Sequence, residues 1–593
     1  MAYYSQKDSL TGQLTVEESL LFASKLKNCR KKTRDSKPLL TNESQCVVSF
    51  PDEEIRLKLL NDKYYHNIVV QKLIDDLHLG NCAKTMVSVL SGGQRRRLSI
   101  ALELIFSPSI LLLDEPTSGL DSLSTLQCVQ MLQSLSKNRD NPMVIAASIH
   151  QPTARVLSYF DNLYVVSMNG QCIYNGPTAQ LVDNLSEFNL FCPKYHNPSD
   201  FMIEVASGDY GLESIDTLAK HYKTVCDTQS VETGNSVKIS KVVQKTNQHL
   251  LVKQLMTTWI LTKRCFLISL RDPKLYTLRL FSVIATLALL FILYLDNKIG
   301  SKDGCLKKPT AEMVKSLQNF DAFDPENTTY PNFGFIFYSV IFMVFLSVLP
   351  TLLSFPLEVS VFMKEHLNGW YSLGSYFVAK CIADIPPNFI FPIIYCIGSY
   401  LITEQIMEFW RFFSYILIMI LLSILTQGFG FLVSAYFVDN ITASTVIGAT
   451  INIPLFLFTG LLIKIKSIPV YFRPLTYISY FRLAFEALMA IIYGFNRCPQ
   501  LEPISFRELK EEFGGDIVPM LKCIDDYDSD IIDNATLAMK VYNDMMENNP
   551  SYALSSFDYE DSILYYNIFY MFIYTIILRL SAYFVLSWRT SIK

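Results

Sequence analysis

The sequence predicts two domains of different fold class, an N-terminal α/β domain followed by an all-α transmembrane domain of six helices. The chain has 593 residues, which is too long for a single hydrophobic core. Half of the residues are apolar and 13% are aromatic, and the apolar excess lies in the C-terminal part. The runs "SILLLDE" at 109–115 and "MVIAAS" at 143–148 are typical of buried parallel strands. The net charge of −4 argues against nucleic-acid binding, so no nucleic-acid partner is expected.

The α/β domain is predicted to occupy residues 1–210. The stretch "DNLYVVSMNGQCIYNG" at 161–176 predicts two strands joined at an Asn-Gly turn. The polar stretch 28–54 is interpreted as a surface insertion. Residues 211–254 are rich in Thr, Ser and Lys and only weakly periodic, which indicates a linker between the two domains.

The transmembrane domain is predicted to occupy residues 255–593. Its first part, 255–273, mixes apolar residues with Lys and Arg, which is typical of an elbow helix that lies at the membrane surface and ends at Pro273. Each of the apolar stretches that follow is near or above the roughly 20 residues that cross about 30 Å of hydrocarbon. These six predicted spans lie at 279–295, 333–356, 376–402, 412–437, 441–463 and 563–586.

The run "ILLLDEP" places two acids at the C-terminal end of a buried strand. Asp114 is placed to hold Mg²⁺, and Glu115 to polarise the water that attacks a γ-phosphate. An apolar run followed by Asp-Glu also occurs where a strand simply ends at a solvated turn. Here "PTSGLD" follows at once and "LSGGQ" precedes the acids by about 20 residues, and this combination is specific for nucleotide hydrolysis.

These motifs resemble the ATP-binding cassette transporters, which implies a cassette of the P-loop NTPase type that binds ATP and Mg²⁺. Residues 90–94 resemble the signature loop, which would face the γ-phosphate of ATP held by an opposing cassette. The implied nucleotide-binding residues are Gln6, Ser91, Gly92, Gly93, Gln94 and Asp121, with Gln6 and Asp114 near Mg²⁺. The implied catalytic residues are Glu115 and the switch histidine His150.

The order of the domains, cassette first and six spans second, resembles the G (White) subfamily of half-transporters. "FPLEVSVFMKEHLNGWYSLGSYFVAKCIADIPP" and "YISYFRLAFEALMAIIYGFNR" are similar to that subfamily, nearest its cholesterol- and phospholipid-exporting branch. No G-x-x-x-x-G-K-[ST] loop occurs in the sequence, and the subfamily places that loop before the position of Met1. We therefore interpret the cassette as incomplete, through either a truncated gene model or a short isoform.

A cytosolic cassette fixes the predicted topology, because an even number of spans returns the C-terminus to the cytosol. The loops 296–332 and 464–562 then lie outside, and each contains a glycosylation sequon, at Asn327 and Asn534. Further sequons at Asn42, Asn184 and Asn440 lie where this topology forbids their use. Cys498 and Cys523 share the large outer loop and are a possible disulfide.

The resemblance also implies a transport cavity on a dimer axis. The expected cavity residues, which include an exit pair at 461–462, are Phe342, Phe345, Asn452, Ile453, Phe456, Leu461 and Leu462. For any one of them, packing or lipid contact is an equally good interpretation. A cavity of this composition favours flat apolar cargo such as sterols. The inner segment around "VFMKEHLNGWYS" is expected to dock on the cassette, with Glu365 as its polar contact.

Two functions remain open at this point. The first is ATP-driven export of lipids or sterols by a dimeric half-transporter, either a homodimer or a heterodimer with another member of the G subfamily. The second is a catalytically impaired subunit, dominant-negative or a heterodimer partner, and White-type carriers of pigment precursors are a more distant alternative. A soluble cassette ATPase is excluded by the six spans. The expected location is the plasma membrane or an endosomal membrane, with the cassette in the cytosol.

Overall fold

The computed structural model consists of two compact units. It describes residues 2–4, 10–28, 62–105, 108–137, 143–232, 247–295, 300, 326–463, 468–495, 497, 554, 557 and 559–592. The first unit comprises Met1–Arg271 and Val361–Ala379, and the second Asp272–Ser360 and Lys380–Lys593. We call Val361–Ala379 the coupling segment.

The first unit contains a parallel sheet that confirms the two predicted strands. Ile110–Asp114 lies in the middle, between Ala2–Tyr4 and Val144–Ser148. Leu111 and Leu113 point into the buried core of this unit. The register pairs Asp114 with Ser148, so the C-terminal ends of the two strands meet at one edge of the sheet.

The predicted hairpin is also confirmed. Asn162–Val166 pairs antiparallel with Cys172–Pro177. Gly170 in the connecting turn has φ of 75°, a conformation that glycine adopts without strain and that side chains disfavour.

The helices of the first unit extend beyond the predicted domain boundary. They are Val16–Asn28, Asp62–Asp76, Gly92–Leu104, Ser122–Ser136, Ala154–Leu157, Leu181–Ser186, Pro198–Ser207, Leu212–Glu232 and Asn247–Leu270. Ile215, Leu218 and Tyr222 of Leu212–Glu232 are buried in one cluster with Tyr174 and Phe201. The beginning of the predicted linker 211–254 therefore belongs to the α/β core, because its apolar residues complete that cluster.

The predicted elbow helix is part of the same unit. It is the helix Asn247–Leu270, and we keep the name elbow helix for it. One of its faces is buried and includes Leu261, Arg264 and Cys265. The chain leaves this helix at Asp272, whose side chain caps the next helix, and Pro273 occupies the first turn of that helix.

Among its described residues the second unit contains helices and connecting loops, and no strand. Five of its candidate spans are long and apolar enough to cross a membrane: Pro273–Leu293, Pro331–Leu367, Leu373–Ile402, Phe409–Tyr436 and Ile563–Ser591. The second belongs to a continuous helix, Glu326–Leu367, that runs into the coupling segment. The third is interrupted at Asp384, where Leu373–Ala383 gives way to Ile385–Ile402. Five of the six predicted spans are thus confirmed.

The predicted span 441–463 is shorter than expected. Its helix is Ile441–Leu457, whose 17 residues cover about 25 Å, less than the roughly 30 Å of a hydrocarbon core. The helix ends before Gly460, which has φ of 101°. Instead, a bent pair of apolar helices follows, Val470–Ile478 and Tyr480–Tyr493, which meet at 76° and bring the number of candidate spans to six if counted as one.

The first part of the predicted outer loop 464–562 contains helices, and the outer position of this loop stays a prediction. Every residue of Tyr480–Tyr493 except Arg482 is buried, so this helix is a core element of the second unit. Its end is fixed by Arg411, whose guanidinium donates to the carbonyl oxygens of Ile491 and Phe495. The backbone N–H of Phe495 in turn donates to Asp561 over 3.0 Å.

Candidate functional site

The two acids of the "DEP" motif lie at the sheet edge where two strands end. Ser148, at the end of the neighbouring strand, donates a hydrogen bond of 2.9 Å to Asp114 Oδ1. The same hydroxyl accepts the backbone N–H of Glu115 over 2.9 Å. Glu115 has φ of 47°, a left-handed conformation that non-glycine residues adopt mainly where surrounding contacts enforce it. Ser148 thus positions both acids, a role that the sequence analysis did not predict. The position of Ser148 at the end of a strand, just before "IHQP", could have indicated this role.

The remaining predicted site residues near this edge are only partly described. His150 is exposed two residues after Ser148, on the loop that leaves the same strand. Gln6 lies outside the described residues, so its predicted role stays a prediction.

The donors at the sheet edge fit a magnesium ion. Carboxylate and hydroxyl oxygens are hard ligands of the kind that Mg²⁺ prefers. Among the residues that the structure describes, no three His, Cys, Asp or Glu side chains form a ligand cluster. An ion at Asp114 would therefore take its other ligands from phosphate and water, as Mg²⁺ usually does at phosphate sites.

The signature loop forms the N-terminus of the helix Gly92–Leu104, which we call the signature helix. Ser91 caps this helix through a reciprocal pair of bonds: Gln94 N–H donates to Ser91 Oγ over 3.3 Å, and Ser91 N–H to Gln94 Oε1 over 3.1 Å. Ser91 and Gly92 are exposed, so the backbone donors at this helix end face outward. A Cβ on Gly93 would lie 3.1 Å from Ser124 Oγ, which is why glycine suits this position.

The turn after the acids is tied to the signature helix. Arg96, buried in the middle of that helix, donates to the carbonyl oxygen of Ser118 over 2.8 Å. Asp121 caps the next helix, Ser122–Ser136, by accepting the N–H of Ser124 over 3.2 Å. Its hydrogen bonds to Ser124 lower the pKa of the Asp121 carboxyl. The predicted nucleotide-binding aspartate is therefore also a helix cap, and Arg96 is a positioning residue that the motif search did not single out.

The prediction for Glu365 is wrong in its choice of partner. The Glu365 carboxylate accepts two hydrogen bonds of 2.8 Å from the guanidinium of Arg264 on the elbow helix, and a further one from the Tyr371 hydroxyl. The α/β domain is instead contacted by the preceding residue, Lys364, whose ammonium donates to Ser99 Oγ of the signature helix over 2.6 Å. Arg264 and Glu365 are 101 residues apart, a pairing that no local pattern in the sequence indicates.

A second ion pair holds the elbow helix to the helix Val16–Asn28. Arg271 contacts the Glu18 carboxylate with both terminal nitrogens, at 2.5 and 2.9 Å. The hydrogen bond from Arg271 lowers the pKa of Glu18. The elbow helix is thus fixed by ionic contacts to two other parts of the first unit.

The predicted cavity residues of the second unit fall into different environments. Phe342 is half-buried and packs on Tyr395, with ring centroids 4.8 Å apart. Asn452 is fully buried: its amide donates to the Gly448 carbonyl over 2.7 Å, and its oxygen accepts the Tyr480 hydroxyl. Both ends of the Asn452 side chain are thus bonded inside the helix packing of this chain, and its place in a cavity on a dimer axis stays a prediction.

The other members of the predicted cavity set retain exposed surface. Phe345, Phe456 and Leu461 are half-buried, whereas Ile453 and Leu462 are each 51% exposed. Exposed apolar side chains in a membrane domain face lipid, cargo or a second subunit.

The predictions for the outer loops fall outside what the structure describes. Asn534, Cys498 and Cys523 are not among the described residues, and for Asn327 only the backbone is described, in the first turn of Glu326–Leu367. The predicted glycosylation and disulfide remain predictions.

The first unit carries the signature helix and two acids at the edge of its parallel sheet, and the second unit carries five to six apolar helices. Together these features define a membrane-bound nucleotide-binding cassette protein. Comparison with known families agrees: residues 1–118 match the family described as ABC transporter, and residues 256–493 match the ABC-2 type transporter family. The two matches put an ABC transporter domain before an ABC-2 type membrane domain, so the chain is a multi-pass membrane protein of the ABC-transporter type, and its relatives are consistent with the G (White) subfamily.

The relatives that support the subfamily come from animals and plants. "ABC transporter ATP-binding protein/permease wht-1" of Caenorhabditis elegans is 27% identical, over 82% of this chain and 68% of the relative. "Protein white" of Drosophila melanogaster is 27% identical over 85% and 66%, respectively. "ABC transporter G family member 22" of Arabidopsis thaliana is 25% identical over 83% and 63%. The chain thus spans about two thirds of the length of the curated relatives that it matches.

Proposed function

We propose that the chain is one subunit of a dimeric transporter that exports sterols or related apolar lipids across a cellular membrane, driven by ATP. The observation that carries the proposal is the outward-facing N-terminus of the signature helix. Ser91 and Gly92 are exposed there, at the helix end where the first backbone N–H groups have no carbonyl partner within the helix. A helix N-terminus of this kind attracts a phosphate group, and in a dimer that phosphate belongs to ATP held by the other cassette.

The arrangement of Asp114 and Glu115 at the sheet edge supports ATP hydrolysis as the energy source. Ser148 orients Asp114 for Mg²⁺, and Glu115 is held where its carboxylate can polarise an attacking water. Magnesium, when bound, neutralises charge on the phosphates; the chain itself supplies the orientation of the acids and the donors of the signature helix.

The cargo is inferred from the membrane unit. Ile453 and Leu462 leave apolar surface exposed, Phe345 and Phe456 are half-buried aromatic side chains, and none of these residues carries charge. Such a lining favours a flat apolar molecule over an ionic one. We place the transporter in the plasma membrane or an endosomal membrane, with its cassette in the cytosol.

A second candidate is that this chain serves as the signature-donating subunit of a heterodimer. The observation that favours it is the capped N-terminus of the signature helix, where Ser91 and Gly92 are exposed. A G-subfamily partner with a phosphate-binding loop would hold ATP, and the signature helix of this chain would close over it.

The test is to express the 593-residue chain with such a partner, tag both subunits, and reconstitute the heterodimer in phosphatidylcholine liposomes with cholesterol. We expect ATP-dependent cholesterol movement that Ser91→Arg abolishes, because a guanidinium would occupy the phosphate position. Glu115→Gln in this chain distinguishes the two candidates: hydrolysis should fall if this chain's own acids serve a site, and stay within about twofold if only the partner's glutamate acts. Cholesterol movement that does not depend on ATP, or full activity of Ser91→Arg, would contradict the proposal.

A further inference from the structure

The helix Val16–Asn28 ends with a lysine whose charge is buried. The Lys27 side chain is 2% exposed, and its ammonium donates to the Leu102 carbonyl oxygen over 2.6 Å and to Glu103 Oε2 over 3.2 Å. Both acceptors lie in the last turn of the signature helix. Lysine is seldom fully buried unless it is paired, and a cation at the C-terminal end of a helix is favoured by the helix dipole. Lys27 therefore binds the C-terminal end of the signature helix, the end opposite to Ser91.

The same ammonium also contacts the coupling segment. Lys27 Nζ lies 4.4 Å from the ring centroid of Trp370, which is itself buried. A cation above an aromatic face is attracted by the ring quadrupole, and more strongly where water is excluded. One charged group thus contacts the signature helix and the coupling segment at the same time.

A second contact joins the same two elements. Lys364 of the coupling segment donates to Ser99, one turn before Leu102 in the signature helix. The signature helix has 13 residues and is about 20 Å long. Because Ser91 is at one end of this rigid rod and both lysine contacts are in its C-terminal half, a displacement imposed at Ser91 moves both contacts.

We propose that Lys27 is a positioning residue through which closure of the signature helix over nucleotide reaches the coupling segment. This inference rests on the proposed function, because it concerns how the energy of ATP would arrive at the membrane helices. It assigns to Lys27 and Trp370 a role in transmission that differs from a merely stabilising buried ion pair.

The first test needs nucleotide but no cargo. Hydrogen–deuterium exchange of the heterodimer described above, with and without ATP and vanadate, reports on amide protection in residues 361–379. In the unaltered protein, ATP should protect this segment and the signature helix. In Lys27→Gln, ATP should still protect the signature helix, while the protection of 361–379 should fall at least about fivefold, the lower end of usual coupling between sites.

The controls separate transmission from folding. Lys27→Arg keeps a cation above the ring and should restore the protection of 361–379. Lys25→Gln removes a charge from the same helix, where the side chain is only half-buried, and should behave like the unaltered protein. Should Lys27→Gln not fold, Trp370→Leu and Trp370→Phe take its place: Leu removes the ring and should lose the protection, whereas Phe keeps a ring and should retain most of it.

The second test uses cholesterol as the cargo probe. In Lys27→Gln the ratio of cholesterol moved to ATP hydrolysed should also fall at least about fivefold, with basal hydrolysis within about twofold. Absence of ATP-dependent protection of 361–379 in the unaltered protein, or unchanged protection in folded Lys27→Gln, would overturn the inference. Failure of cholesterol to move while the protection behaves as expected would overturn the proposed cargo and leave the role of Lys27 supported.

Discussion

Breaking the Arg264–Glu365 pair should destabilise the first unit more than any exposed ion pair. The side chains are only 7% and 9% exposed, and two N–H···O bonds of 2.8 Å join them. Burial alone would lower the pKa of Arg264, but the charge of Glu365 raises it, so Arg264 stays charged. Removing one partner leaves the other charge buried without compensation, which typically costs about 3–5 kcal/mol.

A double-mutant cycle measures this cost. Arg264→Met and Glu365→Leu should each lower the free energy of unfolding by about 3–5 kcal/mol, whereas the double variant should lower it by only about 1 kcal/mol, because no buried charge remains. At about 2–4 °C per kcal/mol, each single variant should lose at least about 6 °C in Tm, followed by tryptophan fluorescence in detergent. Asp439→Asn, which breaks the more exposed pair with Arg589, is the matched control and should cost about 0–1 kcal/mol.

The reasoning would be refuted if the losses in the free energy of unfolding of the two single variants added up in the double variant. If the double variant were as unstable as the sum of the two single variants, the two side chains would contribute independently, through packing, and the ion pair would not be the source of the stability. A Tm unchanged in both single variants would show that the pair is solvated in solution.

Three further predictions concern other parts of the chain. The bond from Arg271 lowers the pKa of Glu18 below its ordinary 4.5, so the stability from this pair is present above pH 4.5 and lost as the pH falls through the lowered value; Glu18→Gln should flatten the dependence of Tm on pH between about 5 and 3. Gly494→Ala would put a Cβ 2.5 Å from the Ala490 carbonyl oxygen and should cost about 1–3 kcal/mol by the same Tm assay, and an unchanged Tm would contradict the packing described. Phe345→Ala should reduce cholesterol transport more than basal ATP hydrolysis, because it removes apolar surface away from the nucleotide; an equal loss of both would indicate a folding role.

The elements that the sequence predicted well are those with a strong local signal. The strand Ile110–Asp114 is a short apolar run followed by acids, and the hairpin 161–176 has an Asn-Gly turn between two apolar stretches. In each case the residues that decide the structure lie within a few positions of one another.

The features that the sequence did not predict depend on contacts between distant residues. Ser148 meets Asp114 across two strands, and Arg264 meets Glu365 across 101 positions, so neither partner is visible in a local pattern. The helix Leu212–Glu232 looked like a linker because its apolar residues are sparse, yet the few it has are enough to complete a core cluster. Burial within the whole fold, rather than composition, decided these cases.

The membrane unit shows a related limit of hydropathy. An apolar stretch of 23 residues at 441–463 predicts a span, but the helix stops at Leu457, because the chain must turn toward Tyr480–Tyr493. The amide of Asn452 and the hydroxyl of Tyr480 bond to each other inside that packing, which satisfies two polar groups away from water. Hydropathy predicts that such residues are buried, but it does not predict which side chains they contact.

The end of the helix Glu326–Leu367 links these observations mechanistically. Lys364 and Glu365 are consecutive, so their side chains leave the helix about 100° apart. Lys364 donates to Ser99 of the signature helix through a part-buried hydrogen bond, and Glu365 is paired with Arg264 of the elbow helix through a buried one. The end of this helix is therefore held between two elements, one that carries the proposed phosphate contact and one that is followed directly by the first candidate membrane span. Because removing one partner of a buried charge pair is costly, the Glu365 contact is the stronger of the two anchors, and substitution of Lys364 should perturb the end of this helix less than substitution of Glu365.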